Sequence, residues 1–230
     1  MTLTALSVCF PLSASDFVRT DNGVKAEIGD MKMSVTFYTP ATVRIEKQSG
    51  DSRKPAESYS VISTPDKVRL TSGESSGRFV LKSDRIRIEI DKSTGLVSFY
   101  TDKGRLLTAE KDPAEFRPVS YSGQPTLAVE QSFSIDSDEA VYGLGNLEHG
   151  NLSQRGLTRA LFPSNIEDGI PLMQTSKGYG IFWDNYSPTT FSDKGDRFLF
   201  FSEIGPDIDY YFMYGGNSDG VIAEIRALTG

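Results

Sequence analysis

The sequence predicts an all-β fold, a large antiparallel β-sandwich followed by one helix near the C-terminal end. Three observations predict it. Short runs alternate apolar and polar side chains with period two, which gives a strand one buried and one wet face. Clusters of Gly, Pro, Asn, Asp and Ser break these runs at short intervals, as turns do. Helical spacing of apolar residues is convincing only in the last stretch. The chain has 230 residues, 38% of them hydrophobic and 24% charged. That is ordinary globular composition, and the length suffices to bury a core without disulfide staples.

Taken in order, residues 1–15 stand apart. Leu3 to Leu12 is a short apolar run followed by Ser13-Ala14-Ser15. It is too short to span a bilayer and reads as the remnant of a signal peptide, cleaved near Ala14 or Ser15. That places the protein outside the cytoplasm, secreted or periplasmic. Met1-Thr2 lacks the expected basic residues, and an ordinary first strand is the alternative. Residues 16–216 read as the sandwich. Met33, Val35 and Phe37 alternate with polar neighbours up to Pro40, and Val43 and Ile45 alternate with Arg44 and Glu46. Gln48 to Asp66 is polar and Pro-containing, a long surface loop. Lys67 to Leu70 and Arg78 to Leu81 read as strands.

The cleanest strand is Asp84 to Ile90, with Ile86, Ile88 and Ile90 on one face. Asp91 to Gly95 turns the chain, and Leu96 to Tyr100 returns as the hairpin partner. Asp102 to Arg105 turns again into Leu106-Leu107. Lys111 to Thr126 holds Pro113, Pro118 and Pro125 and reads as a connection. Leu127 to Ile135 is a further strand. Phe198-Leu199-Phe200-Phe201 is almost continuously apolar, the pattern of a strand buried on both faces. Residues 217–230 form the helix, capped by Ser218 or Asp219, with Val221, Ile222, Ile225 and Leu228 at helical spacing.

Composition excludes several functions. Net charge is −7, and an acidic chain does not suit nucleic acid, whose phosphates reward Lys and Arg. Cys9 is the only cysteine and His149 the only histidine. An intramolecular disulfide, a cysteine zinc site and an all-histidine metal centre are therefore ruled out. A carboxylate-only calcium site stays open, although no loop has EF-hand spacing. No metal and no cofactor is expected, and no membrane span.

Four motifs occur in a fixed order. They are Tyr142-Gly143-Leu144-Gly145, then Ile170-Pro171-Leu172, then Ser176-Lys177-Gly178-Tyr179-Gly180-Ile181-Phe182-Trp183-Asp184-Asn185, then Asp209-Tyr210-Tyr211-Phe212-Met213-Tyr214-Gly215. Gly143 and Gly145 mark backbone that a Cβ would block. Gly178 and Gly180 bracket Tyr179 in a hairpin turn. Together these motifs resemble the N-terminal region of glycoside hydrolase family 31, the family of α-glucosidases and α-xylosidases. The resemblance covers about residues 20–230 and has the flavour of the bacterial α-xylosidase branch.

The resemblance implies a galactose mutarotase-like sandwich. It also implies that the C-terminal helix leads to a catalytic (β/α)8 barrel that this sequence does not contain. Retaining hydrolysis needs two carboxyl groups about 5 Å apart across the sugar. In the family both are aspartates of the barrel, so this chain alone is expected to be inert. Its partners are then the barrel of the same polypeptide and, through it, a carbohydrate substrate. The loop Arg159 to Gly169 matches the family's loop to the active-site rim, with Asn165 as the sugar-binding position and Phe162 as an apolar wall. An apolar barrel-facing patch should also be exposed.

Other chemistry finds little support. Asp91, Asp102, Asp138 and Asp193 sit in turn contexts and read as solvated turn carboxylates. A mutarotase would need an acid and a base on one sugar, and Glu148 beside the lone His149 does not supply them convincingly. A standalone carbohydrate-binding module would use exposed aromatics such as Trp183 or Tyr179. Trp183 lies in an apolar run and reads as core packing, as do Phe212 and Tyr214.

Overall fold

A computed structural model of the chain describes residues 16–50, 57–148 and 150–230. Residues 1–15, where a signal-peptide remnant is expected, and His149 lie outside the described residues. In chain order the first strands are β1 (Asp16–Thr20), β2 (Gly23–Ile28), β3 (Met31–Phe37), β4 (Thr42–Ser49), β5 (Thr71–Ser75) and β6 (Arg78–Lys82). There follow β7 (Ile86–Asp91), β8 (Val97–Thr101), β9 (Leu106–Ala109), β10 (Glu115–Tyr121), β11 (Gln124–Ser134) and β12 (Val141–Asn146). The last are β13 (Thr158–Leu161), β14 (Asp168–Thr175), β15 (Tyr179–Trp183), β16 (Thr189–Asp193), β17 (Arg197–Ser202), β18 (Ile208–Tyr214) and the helix α1 (Ser218–Thr229).

One layer is an eight-stranded sheet in the order β1-β2-β3-β4-β18-β15-β14-β12. The opposing layer is divided into two five-stranded sheets, β5-β6-β7-β8-β9 and β10-β11-β17-β16-β13. Side chains join these two across β9 and β11: the Thr108 hydroxyl donates to the Ser134 carbonyl at 2.8 Å, and the Ala109 N–H to the Ser134 hydroxyl at 3.0 Å. The core lies between the layers. Phe99 of β8 stacks on Phe212 of β18 at 4.1 Å, and Trp183 of β15 on Phe200 of β17 at 5.5 Å. Such aromatic pairs contribute about 0.5–1.5 kcal/mol beyond their buried area.

Local sequence explains most elements. β7 buries Ile86, Ile88 and Ile90 and leaves the intervening residues half-buried, as the alternation predicts. Asp91 makes the following turn by accepting the Ser93 and Thr94 N–H groups, each at 2.9 Å. These bonds, with those from the two hydroxyls, hold its carboxyl below the usual range, the Ser93 hydroxyl contributing most. The hairpin turn Ser122-Gly123 has φ of 49° and 76°, the two left-handed residues that a two-residue hairpin favours.

Four expectations are corrected. Residues 115–121 are a strand rather than a connection, because β10 is a sheet edge, where a proline can sit without breaking an inner ladder. Residues 67–70 form no strand; the strand begins at Thr71. β17 is buried on one face only, with Leu199 and Phe201 half-buried, and the Arg117 guanidinium lies 5.0 Å from the Phe201 ring centre. β15 and β18 are instead the strands buried on both faces. The helix is capped one residue earlier than predicted, by Asn217, whose side chain accepts the Gly220 N–H at 2.8 Å. Such a cap contributes about 1 kcal/mol.

α1 explains the double burial. It packs on the outer face of β15 and β18, where Tyr38, Phe182, Tyr211, Met213 and Leu228 form a second, smaller core. A Cβ on Gly180 would lie 2.6 Å from the Val221 side chain, so the glycine lets the helix approach. Val221 and Leu228 are buried, whereas Ile222 is exposed. Glu224 accepts hydrogen bonds from the Thr39 and Thr42 hydroxyls at 2.8 and 2.6 Å, tying the helix to the β3–β4 turn.

One charged network sits wholly inside the main core. The Lys47 ammonium of β4 donates to Glu110 at 2.5 Å and to the Gln131 side chain at 3.2 Å. Glu110 also accepts the Tyr210 hydroxyl at 2.8 Å and the Val97 N–H at 2.7 Å. Burial pushes the Lys47 pKa down, with Glu110 pulling against it. Lys47 continues the inward series Val43, Ile45, a charged residue at a position where the alternation predicts an apolar one.

Candidate functional site

The loop singled out in the sequence joins the two layers at one end of the sandwich. Its first residues belong to β13, an edge strand paired with β16, and its last to β14, paired with β12 and β15. Residues 162–167 form the connection itself. Its base is tight: a Cβ on Gly169 would lie 2.6 Å from the Leu161 Cα and from the Phe162 backbone nitrogen. Replacing this glycine would force the two strands apart. The Ser164 N–H donates to the Glu167 carbonyl at 2.8 Å, closing the tip.

β12 braces the loop from the other side. Gly143, Leu144 and Gly145 all have positive φ, at 96°, 67° and 103°, and the pairing with β14 is irregular between the two glycines. A Cβ on Gly145 would lie 1.8 Å from the Asp168 carbonyl oxygen. The Tyr-Gly-Leu-Gly motif is therefore a β-bulge, a device that re-aims a strand. Leu144 is buried inside it. Just beyond, the Glu148 N–H donates to the Glu167 carboxylate at 3.0 Å. The site thus has a rigid base and an exposed rim.

Asn165 is exposed at the tip. Phe162 is 48% exposed, and Ile166 and Ile170 are 60% and 47% exposed. The two predicted residues therefore share one short loop, and two isoleucines not predicted extend its apolar surface. Phe162 and Ile166 on the loop and Ile170 at the start of β14 are thus left in water. Other predicted residues are elsewhere. Trp183 is buried in the core and its indole N–H donates to the Ser202 hydroxyl at 2.9 Å; Tyr179 and Phe212 are also buried, and Tyr214 is partly so. Glu148 is exposed, while its neighbour His149 lies outside the described residues.

Asp193 corrects the reading of turn carboxylates. It is buried and paired with Arg155 at 2.6 Å, while Asp102 and Asp138 are exposed as expected. Among the described residues, no group of three or more His, Cys, Asp or Glu side chains is arranged to hold a metal ion. No helix among them is long and apolar enough to cross a membrane.

Two layers of antiparallel strands with a bulged edge and a projecting loop make this a galactose mutarotase-like β-sandwich. The chain belongs to glycoside hydrolase family 31, whose N-terminal galactose mutarotase-like domain matches residues 32–192. It is 33% identical over 216 residues to the alpha-xylosidase of Saccharolobus solfataricus, covering 88% of this chain and 29% of that protein. It is 29% identical over 214 residues to alpha-glucosidase 2 of Bacillus thermoamyloliquefaciens, covering 86% of this chain and 26% of that protein. Among solved structures it resembles a family 31 alpha-xylosidase from a soil metagenome, complexed with xylose. The TM-score is 0.84 and the identity 19%, over 94% of this chain and 35% of that one. The chain spans less than a third of the two curated relatives.

Proposed function

We propose that this chain is the non-catalytic N-terminal sandwich of a longer family 31 enzyme that hydrolyses terminal α-linked xylose or glucose with retention. The sandwich packs on the catalytic barrel of the same polypeptide and lends the β13–β14 loop to the rim of the active site. The observation that carries this reading is the loop itself: its base is fixed by Gly169 and the β12 bulge, while Phe162, Ile166 and Ile170 are left in water. Asn165 would hydrogen-bond a sugar hydroxyl and Phe162 would wall the subsite. The likeness to an alpha-xylosidase over most of the chain supports the substrate class. The apolar leader stretch supports export to the periplasm or medium, checked by N-terminal sequencing of the mature protein.

The test is kinetic, on the longer polypeptide with aryl α-xyloside and α-glucoside substrates. Asn165→Ala is expected to raise KM about fivefold with kcat nearly unchanged, the effect of losing one hydrogen bond of about 1 kcal/mol. Phe162→Ala should act in the same direction. The 230-residue chain alone should hydrolyse neither substrate. Unchanged KM in both variants would remove the loop from the active site. A standalone carbohydrate-binding module using Trp183 loses its platform, since that indole is buried.

A further inference from the structure

A second site lies on the outer face of the large sheet, beside the helix-covered cluster. The β15–β16 and β17–β18 connections and the segment near Ser58 wall a cavity of about 220 Å³, lined by Ser58, Asp184, Tyr186, Asp207 and Asp209 among others. Arg44 of β4 is the cation here. It grips Asp209 through both carboxylate oxygens, at 2.9 and 2.5 Å, and approaches Glu46 at 3.4 Å. Among the described residues, that leaves Asp184 and Asp207 without a cation of their own. Asp184 is 8% exposed. Its Oδ1 accepts the Tyr186 hydroxyl at 2.7 Å, and its buried Oδ2 has no partner among the described residues. Asp207 is also 8% exposed, and no described residue hydrogen-bonds its carboxylate. Burial pushes its pKa up to about 6, with Glu46 and Asp184 adding to the shift and Arg44 opposing it.

We propose that this cavity is a socket for one cationic side chain, a guanidinium or ammonium, presented by the polypeptide that follows α1. The inference rests on the reading of the chain as the N-terminal part of a longer hydrolase. Charge complementarity is the first argument, because among the described residues four carboxylates face one guanidinium, and a buried carboxylate oxygen unpartnered there demands a donor. Position is the second. The Leu228 carbonyl at the end of α1 accepts the Ile62 N–H at 3.0 Å, and Ser58 lines the cavity. Four residues reach at most about 14 Å, so the chain leaves the helix close to the socket. The rim is the third. Tyr59 and Tyr186 are 84% and 52% exposed and meet edge to face at 5.1 Å, a surface suited to a cation on an apolar stem.

The test has two arms. In the 230-residue chain, carboxyl carbon NMR follows Asp184 and Asp207 while ethylguanidinium is added below denaturing concentrations, against sodium chloride and calcium chloride controls. The ethylguanidinium is expected to move both signals saturably and to lower the Asp207 titration midpoint by about one unit or more. Asp184→Asn and Asp207→Asn should each abolish the response, and the second removes no hydrogen bond from a described residue. No saturable response, one matched by sodium, or a response to calcium alone would overturn the socket. In the longer polypeptide, Asp207→Asn should lower the melting temperature at neutral pH, whereas in the 230-residue chain it should raise it. The same sign in both would overturn the named occupant. The first arm reads the socket without any barrel or substrate, so loss of the hydrolase reading would leave its result intact.

Discussion

Lys47 and Arg44 lie three residues apart on β4 and meet charge in opposite ways. On the inward face, Lys47 meets one carboxylate, Glu110, and both Glu110 oxygens and the Gln131 side chain have partners inside the core. On the outward face, Arg44 meets Asp209 and Glu46 while Asp184 and Asp207 remain beyond its hydrogen bonds. The inner network is balanced in charge and closed. The outer cluster, among the described residues, has an excess of negative charge and opens on a cavity. The contrast separates a closed structural ion pair from an open acidic cluster. Burial alone does not separate them, for Lys47, Asp184 and Asp209 are all buried. What separates them is whether every polar atom has been answered from within the chain.

The largest effect should come from opening the closed network. Lys47→Ala leaves Glu110 buried without its cation and is expected to reduce stability by about 3–5 kcal/mol, read from urea denaturation. A loss under about 1 kcal/mol would show that the inner pair is no more structural than the outer one.

The second effect concerns pH. Asp207 is raised from its ordinary 3.8 to about 6. Between those values the folded chain holds this proton more tightly than the unfolded chain. The group's stabilisation is therefore full below its ordinary value and lost as pH rises through about 6. Asp207→Asn should remove that dependence. Relative to the parent chain, the variant should gain about 1–3 kcal/mol between about pH 4 and pH values above 7. A difference that does not change with pH would place Asp207 in water.

The smallest effect tests the rim. The Tyr186 hydroxyl accepts the Tyr59 N–H at 2.6 Å while donating to Asp184. Tyr186→Phe should reduce stability by about 1 kcal/mol or less and speed hydrogen exchange at the Tyr59 amide. Unchanged exchange there would detach the segment from the cavity wall.

Much of the fold is legible in residue patterns because it depends on neighbours along the chain. The Ile86, Ile88, Ile90 series, the Asp91 turn, the Gly178 hairpin and the terminal helix all follow from local rules. β10 is hidden by Pro118, since whether a proline is tolerated depends on lying at a sheet edge, a property of the whole sheet. The division of the second layer is hidden for a similar reason: β9 and β11 are joined by side chains and one isolated bridge, Glu110 with Phe133, rather than by a full ladder. The loop bearing Asn165 and Phe162 could be found from motif order, and the two glycines before it from their spacing. The acidic cavity could not. Its carboxylates come from residues 46, 184, 207 and 209, which only the pairing of β4, β18 and β15 brings together.

The most direct test of the contrast between the two faces is a side-by-side urea denaturation of Lys47→Ala and Asp207→Asn in the 230-residue chain at neutral pH. The two should move in opposite directions: Lys47→Ala loses stability because it strands a buried charge, and Asp207→Asn gains it because it removes one. Destabilisation by both would mean that the outer cluster is as structural as the inner network, and the distinction between them would fall.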